Sequence, residues 1–89
     1  MSERVALIEA RLRAALSPTE LRIEDDSAAH AGHAGARSGA GHFNVYIVSS
    51  AFAGKSLLAR HRLVYAALDD LLQKEIHALS IKALTPEER

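Results

Sequence analysis

The chain reads as an α+β domain with the element order α-β-β-α-β. Two segments repeat apolar residues every three or four positions, and three shorter ones alternate apolar with polar residues. Turn-forming residues separate them. Helices laid on one face of a three-stranded sheet bury all of these stripes at once. With 89 residues the chain forms a single domain over 1–89. A chain of this size hides roughly 60–65% of its unfolded surface, enough for a modest core but not for a deep catalytic cavity.

Val5, Ile8, Leu12 and Leu16 make the apolar stripe of the first helix, with Arg4, Glu9, Arg11 and Arg13 between them. Ser2 is the expected cap, and Ser17-Pro18 stops the helix. "ELRIED" alternates Leu21 and Ile23 against Arg22 and Glu24, a half-buried strand. A Gly/Ala/Ser/His stretch follows as a long loop. "HFNVYIVSS" then sets Phe43, Val45 and Ile47 on one face of a second strand. "AFAGKS" is a turn, with Ser56 as N-cap of a helix expected over 57–73 on the stripe Val64, Leu68, Leu71. "IHALSIKAL" is the third strand. In "TPEER", Thr85 caps and Pro86 opens a short terminal helix.

Eleven basic and eleven acidic residues cancel, so any nucleic-acid site must be a local patch rather than a general basic excess. The absence of cysteine removes disulfides, thiol nucleophiles and thiolate ligands from this chain. No apolar run approaches ~18 residues, and the first segment carries acids as well as bases, unlike a targeting peptide. The expected compartment is the cytoplasm, without a membrane partner.

"SSAFAGKS" falls between a strand and a helix, where a phosphate-binding loop would sit. That motif needs a glycine five residues before Gly54-Lys55, and Ser49 stands there instead. Gly54 is a turn residue. No nucleophile–base pair is evident, so enzymatic activity is not expected. "RHRLVY" sets Arg60, His61 and Arg62 on one helix turn. These residues and Lys55 read either as a solvated first turn or as a basic surface for a partner or for phosphates.

Three of the five histidines, His30, His33 and His42, lie in "SAAHAGHAGARSGAGHF". A loop longer than ~12 residues in a compact domain is usually functional or disordered. The spacing His-x2-His-x8-His suits a permanent zinc site poorly, because such sites generally use cysteines and closer spacing. A solvated tract is the plain alternative. His77 opens the last strand on the alternation of Leu79 and Ile81, either as a rim histidine with one hydrogen bond or as an imidazole on rigid backbone.

"GHFNVYIVSSAFAGKSLLARHRLVYAAL" followed by "IHALSIKALTPEE" closely resembles the BolA family. The shared features are His-Phe entering a strand, the Phe-x-Gly turn, the Arg-His-Arg-x-Val-Tyr helix and the His-Ala-Leu strand. The first helix and strand fit as well, so the likeness covers nearly the full length. It implies a fold similar to the second type of KH domain. The Gly-x-x-Gly nucleic-acid loop of KH domains is missing, since only Gly54 precedes Lys55, Ser56 and Leu57.

The family's members pair with monothiol glutaredoxins around a shared [2Fe–2S] cluster, with glutathione on the glutaredoxin side. They have also been described as DNA-binding transcriptional regulators. The resemblance implies that His77 is a cluster ligand and that a second ligand comes from the loop between the first two strands. Without cysteine the chain resembles the histidine-loop type. Alignment on "DDSAAH" then favours His30, with His33 as the alternative and His42 disfavoured by its place in a strand. No cluster is expected in the isolated protein.

Overall fold

The computed structural model describes residues 3–26, 41–74 and 76–89, with residue 77 described by its backbone. Helix α1 (Glu3–Leu16) leads into strands β1 (Glu20–Asp25) and β2 (Gly41–Val48). A 3-10 turn (Ser50–Phe52) and helix α2 (Leu57–Leu68) follow, then the single-turn α3 (Leu71–Lys74). Strand β3 (Ile76–Leu84) and a 3-10 turn (Pro86–Glu88) close the chain. The expected α+β order and its three strands are present. Ser2 lies outside the described residues.

The sheet runs β1-β2-β3, with β1 antiparallel and β3 parallel to the central β2. Parallel pairing of β2 and β3 requires a crossover, and α2 supplies it across one face. Alternation on β2 sends Phe43, Val45 and Ile47 into the core. There they meet Ile8 and Leu12 of α1 and Val64 and Leu68 of α2. The sheet's other face carries no helix among the described residues.

The turn after β2 shows what Ser49 does in place of a phosphate-loop glycine. Its side chain is fully buried, with the Oγ donating to the Leu16 carbonyl at 2.6 Å and accepting from the Ala51 N–H at 3.1 Å. It therefore ties the end of α1 to the turn that launches α2. Gly54 takes φ +72°, a conformation that a side chain disfavours, although nothing lies within 4 Å of an added Cβ. Ser56 caps α2 as expected, accepting from the Ala59 N–H at 3.2 Å.

The helix expected over 57–73 is not continuous. It ends at Leu68, where Asp69 takes φ 48°. The cause is on α1. The Arg11 guanidinium donates to the Leu68 carbonyl and to the Asp70 carboxylate, both at 3.1 Å. A cation at the last carbonyls stabilises a helix end there. Leu71 still reaches the core from α3.

Candidate functional site

One end of the sheet gathers the elements that the sequence marked. Strand β1 finishes at Asp25, paired with Phe43, and the Asp26 N–H continues the ladder to the His42 carbonyl at 2.8 Å. The segment 27–40, which holds His30 and His33, lies outside the described residues. The described residues that flank it, Asp26 and Gly41, both lie at this end of the sheet.

Strand β3 begins at the same place. Gly41 is in register with Ile76 and His42 with Ala78, so the backbone of His77 is the extra residue of a β-bulge. The alternation read for His77 is therefore interrupted. It holds from Ala78 onward, where Leu79 and Ile81 pack against the core. His42 is partly buried within β2, and its Nδ1 is buried. The register thus sets the backbones of His42 and His77 on neighbouring strands, at the sheet end that holds Asp26 and Gly41. Among the described residues, no group of three or more His, Cys, Asp or Glu is placed to hold a metal ion.

The proposed basic surface on α2 needs a correction. Arg60 is 8% exposed and belongs to the fold. Its Nη1 and Nη2 grip the Glu88 carboxylate at 2.6 and 2.9 Å. Nη1 also donates to the Ala83 carbonyl at 3.0 Å, and Nε to the Lys55 carbonyl at 2.9 Å. A planar guanidinium with a fork of donors can join helix, strand and terminal turn in this way, and an ammonium cannot. The sequence did carry a signal: Arg60 stands four residues before Val64 and eight before Leu68, on the buried stripe. Lys55 and Arg62 remain exposed, and His61 is partly buried.

Two features here escaped the sequence reading. Leu57 and Leu58 are 68% and 61% exposed at the start of α2, between Lys55 and Arg62. They lie in the turn before the buried part of the stripe begins. The second is the electrostatics of the terminal turn. The Arg60 guanidinium, with the Thr85 backbone N–H, lowers Glu88 from the ordinary 4.5 to about 2. A lowered carboxylate contributes stability that is complete above its unfolded value and is lost as pH falls through the folded one. The share due to Glu88 should therefore disappear between about pH 4.5 and about pH 2. Urea midpoints measured across that range should fall for the wild type and fall less steeply for Glu88→Gln, which starts from a lower stability at pH 7. Parallel curves for the two proteins would contradict the assignment. Glu20, held low by Arg89, and Asp70, held low by Arg11, act in the same direction.

Residues 12–88 match the family described as BolA-like protein. The chain is 54% identical over 86 residues to the SufE-like protein 1, chloroplastic/mitochondrial, of Arabidopsis thaliana. That alignment covers 91% of this chain and 23% of the relative, so the chain spans about a quarter of that protein's length. The DNA-binding transcriptional regulator BolA of Escherichia coli is 41% identical, over 91% of this chain and 74% of its own length. Among solved structures, the BolA domain of SufE1 from Arabidopsis thaliana superposes with a TM-score of 0.88 at 49% identity, covering 100% of this chain and 99% of that one. The match takes in all three strands, α2 and the terminal turn clasped by Arg60. The chain belongs to the BolA-like family.

Proposed function

We propose that this chain is a non-enzymatic adaptor that pairs with a monothiol glutaredoxin and co-ligates a [2Fe–2S] cluster carried between them. The observation that supports it most is the bulge that sets His77 at the sheet end that holds Asp26 and Gly41, the residues flanking the histidine-bearing segment. In this reading His77 is the ligand on rigid strand backbone. His30 comes from the 27–40 segment, with His33 as its alternate. The glutaredoxin supplies its cysteine and a glutathione thiolate. Imidazoles in place of two thiolates leave the cluster less negative and raise its potential.

Ligation needs neutral imidazole, whose unperturbed pKa is about 6.5. Protons therefore compete with iron as pH falls through roughly 6. The test mixes the protein with cluster-loaded monothiol glutaredoxin at pH 8 and at pH 5.5, and follows visible absorption and native mass. A 1:1 complex with an altered cluster spectrum should form at pH 8 and loosen at pH 5.5. The His30→Ala variant should weaken it, and His42→Ala should behave as wild type. Failure of His42→Ala alone, or wild-type behaviour of the 30, 33 and 42 variants at both pH values, would refute this ligand set.

A second reading is a transcriptional regulator that docks duplex DNA on α2. It is favoured by the name of the Escherichia coli relative and by the exposed Lys55 and Arg62. The buried Arg60 and the exposed Leu57 and Leu58 favour a protein partner there instead, because phosphates draw no affinity from leucine.

A further inference from the structure

The helix-free face of the sheet carries a groove of about 400 Å³ across all three strands. Register builds it. Arg22 pairs with Tyr46, and Tyr46 with Lys82, so a row of cation, aromatic ring and cation crosses the sheet. Two residues along each strand, and so about 7 Å away, Glu24, Asn44 and Ser80 form a second row. Backbone between the rows makes the floor. Alternation sets both rows opposite the core, because Phe43, Val45 and Ile47 are the buried members of β2.

From this arrangement we infer that the open face binds single-stranded nucleic acid, with a base stacked at Tyr46 and Arg22 and a phosphate on Lys82. The Arg22 guanidinium, which also donates to Glu20 at 3.3 Å, lies over the Tyr46 ring at 5.5 Å from its centre, so an unpaired base stacks on the outer face of this aromatic–cation platform. Lys82 is exposed at the other end of the same row. In the second row, the Asn44 amide donates to Glu24 Oε1 at 2.8 Å, which leaves the Asn44 carbonyl oxygen and the Ser80 hydroxyl to meet a base edge.

The alternatives fit less well. A docked protein needs apolar anchors. Among the described residues, the exposed large apolar side chains, Leu7, Leu57, Leu58 and Tyr65, all lie on helices. A duplex hides its base faces inside the stack, where a ring on a flat sheet cannot reach. The inference does not rest on the cluster reading, since none of the residues that line the groove is a proposed cluster ligand. It also differs from DNA docking on α2 in both surface and substrate.

The experiment uses fluorescence anisotropy of a labelled mixed-sequence 12-nucleotide DNA strand with the full chain, alongside the corresponding duplex. The strand should bind with a Kd of about 10⁻⁴ to 10⁻⁶ M at 50 mM salt and more tightly than the duplex. Raising salt to 200 mM should weaken binding about 2.6-fold, the result for one phosphate contact at a slope of about 0.7. Tyr46→Ala should weaken it at least about fivefold, Lys82→Glu should weaken it and flatten the salt dependence, and Tyr46→Phe should retain it. Should Tyr46→Ala fail to fold, Lys82→Glu decides, because Lys82 is exposed. The inference is overturned by no binding up to ~1 mM, by equal binding of the duplex, or by a loss that follows Lys55→Glu and Arg62→Glu but not Lys82→Glu.

Discussion

Phe43→Ala should destabilise the domain by about 3–5 kcal/mol, the usual cost of removing a fully buried phenyl ring. Phe43 is 0% exposed on the central strand, in register with Asp25 on one side and Leu79 on the other. Its ring belongs to the core formed with Ile8, Leu12, Val64 and Leu68, so truncation leaves a cavity that the two helices and the sheet share. Domains of this size are held by roughly 5–15 kcal/mol in total, and one substitution would remove a large part of it. The measurement is the urea midpoint and slope by circular dichroism. A loss under about 1 kcal/mol at unchanged slope would mean that the core at this end of the sheet is not packed as described. Because Phe43 follows His42 directly, the variant should also lose cluster binding. That loss would report folding rather than ligation.

His77→Ala should do the opposite, leaving the fold intact and removing the shared cluster. Alanine is compatible with strand pairing, so β3 should keep its register with β2 and the circular dichroism spectrum should match wild type. Cluster retention with the glutaredoxin should fall at least tenfold, since loss of even an outer-shell partner typically costs 10–100-fold in metal affinity. His77→Cys is the informative companion. A thiolate can replace imidazole on iron, so this variant should hold a cluster with a shifted visible spectrum and a lower potential. An unchanged heterodimer spectrum with His77→Ala would end the assignment of His77 as a ligand.

These two expectations rest on different kinds of legibility. The core residues were readable because burial repeats locally. Ile8, Leu12 and Leu16 recur at helical spacing, and Phe43, Val45 and Ile47 recur at strand spacing. β1 and β3 kept the bounds read for them, while β2 begins one residue earlier, at Gly41, and ends two residues earlier, at Val48, where Ser49 turns the chain. The candidate ligands were legible only through their likeness to a family, because a His-x2-His-x8-His spacing by itself selects no metal. His30 and His33 lie outside the described residues.

The sequence by itself determined the order of the strands and the two main helices, the cap at Ser56, and the core stripes of α1, β2 and α2, because each depends on residues within a turn or two. Tertiary structure alone decided four other matters. It ended the second helix at Asp69, where the guanidinium that meets the last carbonyl is that of Arg11, 57 residues from Leu68. It withdrew Arg60 from the basic surface, since the matching carboxylate is Glu88, 28 residues on. It placed His77 in a bulge beside His42, and it aligned Arg22, Tyr46 and Lys82 in one row. All four are set by strand register or by a long-range charged hydrogen bond. Such a contact joins residues far apart in the chain, so no local period encodes it, and folding chooses it for the sum of everything it packs.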